Sequence, residues 1–322
     1  MNPKVSVIIP TYNRANLLPR AIKSVLNQTF RDFELIVVDD GSTDNTKELV
    51  EKFQKKDSRI KYFYKENGGP GSARNFGVKN ARGNFVIFLD SDDMFLSGLL
   101  EEEIKYTNEF KIIMCGAWVV NLENNKIINY VVGHTDCCLF EKTLFEKFGY
   151  YDEERNFSED VGLGVKWTVA EYLNKSFIPK KVIDKPLVII FKHKEPHFTD
   201  NLNHLIITAK SMVDKYSDAI YVCPHIFSNV FLHLGHYEIL AHNIREGRKY
   251  FLKSFSLRKN NFIALFLYIL TFLGQVMYLK IFNLADWIRK NIFWKIKVVR
   301  KKKEFPNFYD EAIKLLKFDV TS

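Results

Sequence analysis

The strongest constraint in this chain is a repeated pattern in its first 110 residues, where four short apolar runs each end in a polar cluster. The runs are Val5–Ile9, Leu35–Val38, Ile60–Tyr64 and Phe85–Leu89, and helical patterns at 17–26, 46–53 and 71–81 separate them. Strand and helix signals alternating at this spacing predict an α/β fold with a mostly parallel central sheet flanked by helices. The clusters are Pro10-Thr11-Tyr12-Asn13, Asp39-Asp40-Gly41-Ser42, Glu66-Asn67-Gly68-Gly69 and Asp90-Ser91-Asp92-Asp93. Open α/β sheets bind ligands beyond the carboxyl ends of their strands, so the four clusters describe one site.

The common nucleotide loops do not account for that site. The first turn has no glycine, Gly69-Pro70-Gly71-Ser72-Ala73-Arg74 carries Arg where a dinucleotide fingerprint needs its third Gly, and no Walker A loop is present. Charge argues against nucleic acid as partner. The chain carries a formal +9, yet residues 243–303 hold fifteen Lys/Arg against two Asp/Glu, which leaves the remainder acidic. A nucleic-acid enzyme would be expected to place cations around its working cleft as well. Cys115, Cys137, Cys138 and Cys223 form no C-x-x-C pair and read as reduced thiols.

Three carboxylates within Asp90-Ser91-Asp92-Asp93 repel one another, and a divalent cation with oxygen preference, Mg²⁺ or Mn²⁺, would neutralise them while bridging to a diphosphate. Taken alone, the cluster reads more readily as an acidic loop capping the next helix. With Val5 through Asn13, Val37 through Asp44, Gly69 through Asn75 and Phe88 through Asp93 in this order, however, the sequence resembles glycosyltransferase family 2 over roughly residues 4–190. The resemblance implies a GT-A fold, a Rossmann-like sheet with helices on both faces, and transfer of a sugar from a nucleotide diphosphate donor.

Carried residue by residue, the resemblance places Pro10, Thr11 and Tyr12 in the nucleotide pocket and Asp40 against the base, usually uracil. Gly69 and Arg74 would lie beside the base and diphosphate, Asp90 and Ser91 at the ribose or donor sugar, and Asp92 on the metal. In Ser158-Glu159-Asp160, which follows a stretch like the family's G-x-F-D-E, Asp160 matches the general base that deprotonates an acceptor hydroxyl as it attacks the anomeric carbon with inversion. Glu159, Lys166 and Trp167 would face the acceptor, and His193 or His197 would approach the metal. The processive members' Q-x-x-R-W is replaced by Val161-Gly162-Leu163-Gly164-Val165-Lys166-Trp167, so addition of one or few sugars is expected. Two rivals stand beside this reading: transfer directly to a polyprenyl phosphate, which needs no base, and a catalytically silent GT-A scaffold bound to a membrane.

The chain divides by pattern into a donor half (1–110), an acceptor half (111–200) and a helical, basic region (201–322), with 256–303 expected to associate with a membrane. Phe262–Leu279 is uncharged and just long enough to span a bilayer, but basic residues flank both ends, contrary to the positive-inside tendency. Beyond it Ile281, Leu284, Ile288, Ile292, Ile296 and Val299 recur at helical spacing among Arg289, Lys290, Lys295 and Lys297. That is the pattern of a helix lying on anionic headgroups, and it suggests a glycolipid or lipid-linked glycan as acceptor. The opening apolar run ends at Pro10, too short for a signal peptide, so the expected location is the cytoplasmic face of the membrane.

Overall fold

A computed structural model describes residues 2–153, 159–192 and 202–318. In chain order its elements begin β1 (Val5–Thr11), α1 (Leu18–Leu26), β2 (Phe33–Asp39), α2 (Thr46–Gln54), β3 (Ile60–Tyr64), α3 (Pro70–Asn80) and β4 (Phe85–Phe88). They continue with β5 (Met94–Phe95), α4 (Leu99–Ile104), β6 (Ile112–Asn121), β7 (Lys126–Val132), β8 (Cys138–Glu141), α5 (Thr143–Phe148), α6 (Glu159–Leu173) and β9 (Lys180–Lys192). The rest is helical: α7 (Leu202–Lys215), α8 (Pro224–Leu240), α9 (Ile244–Leu257), α10 (Phe262–Leu270), α11 (Gln275–Ile288), α12 (Trp294–Glu304) and α13 (Pro306–Phe318). Contacts group the chain into two compact units. One comprises Met1–Glu153, Phe177–Lys194 and Trp294–Ser322, the other Glu154–Ser176 and Glu195–Phe293.

The first unit is built on a sheet of order β3-β2-β1-β4-β8-β6-β9-β5, with β7 paired to β6. Strands β3, β2, β1 and β4 are mutually parallel, β8 runs antiparallel to β4 and β6, and β9 is parallel to β6. Every residue of β1 and β2 is buried, as expected of parallel strands covered on both faces. The buried Glu34 in β2 is satisfied by the Ser6 hydroxyl at 2.7 Å and by Arg82, so the charge is not left unpaired. Strands β6 and β7 form a hairpin around Asn124-Asn125, with Asn125 at φ +50°. The last two helices pack on this unit. Tyr309 meets the edge of the buried Trp118 at 5.7 Å between ring centroids, and the buried Lys301 donates to Asp184 at 2.5 Å. Part of the basic stretch 256–303 thus belongs to the sheet unit.

The second unit is helical. Phe227, Phe231 and Val165 centre one apolar cluster, and Phe251, Leu267, Leu270 and Tyr278 form another. His236 stacks on Phe282 at 3.9 Å and bonds the Tyr278 hydroxyl at 2.9 Å, a packing histidine rather than a ligand. The uncharged run 262–279 is not one helix: a 3₁₀ turn at Thr271–Leu273 and Gly274, at φ +83°, divide it into α10 and α11. No described helix is long and apolar enough to cross a membrane.

Candidate active site

Strand register sets the site. Thr11 pairs with Asp39 and Asp39 with Tyr64, so β1, β2 and β3 end level, while β4 ends at Phe88 opposite Ile8, three residues short on the same edge. Backbone bonds then knit the loops: Asp40 N–H donates to the Thr11 carbonyl at 2.9 Å, and Leu89 N–H to that of Ile8 at 3.0 Å. The Thr11 hydroxyl is buried with no hydrogen-bond partner among the described residues, and Tyr12 beside it is 48% exposed. One is a donor awaiting an acceptor, the other a free aromatic face.

Asp40, only 4% exposed, accepts from the Lys65 ammonium at 2.7 Å and from the backbone N–H of Gly68 and Gly69 at 2.9 and 2.7 Å. This carboxylate fixes the third loop where it turns into α3. Gly69 adopts φ +90° there, a conformation costly for any residue with a Cβ. One turn on, the buried Arg74 donates to Asp90 Oδ1 at 2.8 Å, and its guanidinium lies 5.7 Å from the Tyr151 ring centroid. The segment like G-x-F-D-E is bound to α3 as well. Asn75 exchanges hydrogen bonds with the Tyr151 backbone at 2.9 Å and donates to Glu153 at 2.8 Å, and Ser72 donates to Glu153 at 3.2 Å.

The acidic loop is held residue by residue. Asp92 pairs with Arg14 at 2.5 Å, and its carbonyl accepts from Arg20. Asp93 accepts from Phe191 N–H at 2.8 Å. A residue outside the sequence motifs completes the group: Asp136, fully buried, brings its carboxylate together with those of Asp90 and Asp93, with ligand oxygens within 4.8 Å of one another. His134 Nδ1 lies 3.9 Å from Asp136. Burial is the largest influence on Asp90 and opposes its ionisation, but Arg74, His134 and Arg14 together outweigh it and hold the carboxyl below its ordinary range. Burial, together with the neighbouring carboxylates, pushes Asp93 and Asp136 upward.

Facing carboxylates that can only accept hydrogen bonds require a proton or a cation between them. Among the described residues neither Asp136 oxygen accepts from an N–H or hydroxyl donor, so the group offers what a divalent cation with oxygen preference takes, and its residues fit such an ion. The reason Asp136 belongs here is the antiparallel register of β4 with β8, Phe85 to Glu141 and Ile87 to Leu139. Continued three residues, it sets Asp136 opposite Asp90. The only sequence cue was an Asp just ahead of a β-rich run.

Thus Pro10, Thr11, Tyr12, Asp40, Gly69, Arg74, Asp90, Ser91 and Asp92 all occupy β1 or the loops and helix start at the sheet edge of the first unit. Glu159 and Asp160 open α6 in the second unit, but their side chains lie outside the described residues. On the same helix Lys166 is half-buried and Trp167 is 4% exposed. His193 and His197 also lie outside the described residues.

A sheet of this topology, with an acidic loop after its fourth strand, has the GT-A fold. The model of glycosyl transferase family 2 matches residues 6–174, and the chain belongs to that family. Among relatives, an uncharacterised glycosyltransferase of Rickettsia bellii is 54% identical over 110 residues, 34% of this chain and 16% of that protein. The GalNAc(5)-diNAcBac-PP-undecaprenol beta-1,3-glucosyltransferase of Campylobacter jejuni is 48% identical over 125 residues, 38% of this chain and 40% of the other. These matches span well under two thirds of either relative. Among solved structures, residues 1–349 of S. aureus TarS with UDP-GlcNAc align with TM-score 0.58 and 24% identity, covering 78% of this chain and 79% of that one. The mannosyltransferase PcManGT of Pyrobaculum calidifontis, in complex with GDP-Man and Mn²⁺, gives 0.56 and 17%, covering 89% and 88%. At these identities the structures establish the fold.

Proposed function

We propose that this glycosyltransferase moves a single sugar, with inversion, from a UDP-sugar to a hydroxyl of a lipid-linked glycan or glycolipid at the cytoplasmic face of a membrane. The observation that carries the donor half is the gathering of Asp40, Arg74, Asp90 and Asp92 on one sheet edge, each already held by a named partner. Such a fixed array costs little reorganisation when a nucleotide diphosphate binds. Tyr12 supplies a face for the base, Thr11 a hydroxyl, and the clamped Asp40 carboxylate an acceptor at the pocket wall. Arg74 addresses the diphosphate with several donors, while Asp90 and Ser91 address the ribose or sugar.

Mg²⁺ or Mn²⁺ would be held by Asp92 and the carboxylates clustered at Asp90, with His193 or His197 as the remaining ligand in the family pattern. When bound, the ion stabilises charge growing on the departing diphosphate. Asp160 removes the acceptor proton, and Glu159, Lys166 and Trp167 position the acceptor. A lipid-linked acceptor is supported by the Campylobacter relative, whose name specifies an undecaprenol diphosphate substrate. It is supported also by the basic, apolar C-terminal helices, proposed here to rest on an anionic bilayer.

The test is release of nucleotide diphosphate from a panel of UDP- and GDP-sugars with Mn²⁺. Turnover confined to UDP-sugars and lost in Asp92→Ala supports the proposal. Turnover confined to GDP-sugars, or equal turnover without metal, overturns it.

A further inference from the structure

Helix α10 is apolar on both of its faces. Ala264, Leu267 and Leu270 turn inward onto the cluster around Phe251 and Tyr278. A helix that merely covers a core presents polar residues outward. Here Phe262, Ile263, Phe266 and Ile269 are each more than half exposed, and the surface continues through Phe272 in the 3₁₀ turn to Val276 in α11. The ring and aliphatic surface at this corner exceeds the scattered apolar exposure normal on a soluble protein.

Charge states what covers it. Residues 247–285 contain no Asp or Glu, but they contain Arg248, Lys249, Lys253, Arg258, Lys259 and Lys280. Arg258 and Lys259, both exposed, immediately precede α10, and the exposed Lys280 follows the apolar surface on α11. A second copy of this chain seated there would set like charges against like, which disfavours an isologous dimer. An anionic bilayer meets both demands, with acyl chains for the apolar corner and headgroups for the cations that flank it.

We infer that the corner formed by α10, the turn at Gly274 and the start of α11 inserts into one leaflet of an anionic membrane as a shallow wedge. This rests on the membrane reading above and names the element that carries it, in place of the periodic stretch 281–303. A helix of nine residues extends only about 13 Å at 1.5 Å per residue, and Gly274 ends its course, so the wedge sits at the level of headgroups and upper chains. In contrast, Lys301 of α12 is buried against Asp184, and this part of the basic tail is committed to the sheet unit.

The experiment uses the full chain and vesicles of either pure phosphatidylcholine or equal parts phosphatidylcholine and phosphatidylglycerol. The variants are Phe266→Asp with Val276→Asp, both at exposed positions, and Ile296→Asp with Val299→Asp on α12 as a comparison. Circular dichroism and donor hydrolysis without acceptor serve as checks of folding. Wild type is expected to sediment with anionic vesicles and to resist partial release by salt, the first variant to bind about tenfold or more weakly, and the second to bind as wild type. Unchanged binding by the first variant overturns the wedge while membrane association stands. If wild type fails to sediment at all, the membrane reading falls and the wedge with it. A wild-type dimer that the first variant dissociates, without vesicle binding, would assign the surface to a second copy instead.

Discussion

Arg74 donates to Asp90 across 2.8 Å, joining the helix after β3 to the loop after β4. The bond ties the nearly buried Arg74 to a partly exposed carboxylate that also belongs to the cluster with Asp93 and Asp136, so the two loops form one unit.

Replacing Arg74 by Lys keeps the charge but loses the planar fork that lets one nitrogen hold Asp90 while others address a diphosphate. A charge-assisted hydrogen bond contributes about 1.5–3 kcal/mol, so kcat/KM for the donor should fall roughly 10- to 100-fold. Steady-state kinetics at saturating acceptor would read this, and a loss below twofold would show the pair to be structural.

Asp136 is expected to shape cation affinity although it lies outside every recognisable motif. Asp136→Asn should weaken Mn²⁺ binding, followed by electron paramagnetic resonance of the free ion, by about 10- to 100-fold, the range seen when a metal's supporting groups are removed. Equal Mn²⁺ affinity would mean that the three facing carboxylates are reconciled by a shared proton.

Glu103 in α4 is fully buried, with no described N–H or hydroxyl donor on either carboxylate oxygen, and burial pushes its pKa well above the ordinary value against the weaker opposing effect of the Cys115 thiol. The folded form therefore keeps a proton that the unfolded chain loses above its ordinary pKa, so the stability associated with this group is full in acid and declines as pH rises towards the folded value. One proton bounds the slope at about 1.4 kcal/mol per pH unit. Glu103→Gln should flatten the fall in urea-unfolding stability between pH 5 and 8, and a parallel fall in both proteins would exclude the group as its source.

Much of the candidate site was legible because each parallel strand announces itself by an apolar run and ends in residues with few structural uses, such as Asp39-Asp40 or Asp90 through Asp93. Asp136 was not, since an antiparallel pairing between β4 and β8 delivers it, and pairing partners distant in sequence leave no local trace. Glu153 was noticed only as part of a motif, whereas its work, bonding Ser72 and Asn75, depends on α3 lying beside it. In the tail, helical periodicity suggested one amphipathic helix from Ile281 to Val299, but a π-helical stretch at Arg289–Phe293 interrupts it. Such a stretch shifts the phase of every later side chain. The break at Gly274 was hidden by the apolar residues around it, whose hydropathy says nothing of backbone direction.

The measurement that bears most directly on the account is the rate of UDP release from a UDP-sugar with acceptor and Mn²⁺, compared between wild type and Asp160→Asn, alongside UDP affinity of both. The account predicts equal UDP affinity and a fall in kcat of about 10²- to 10⁴-fold, the usual contribution of a general base. Near wild-type turnover in the variant would contradict base-assisted attack by a hydroxyl, and with it the proposed acceptor chemistry.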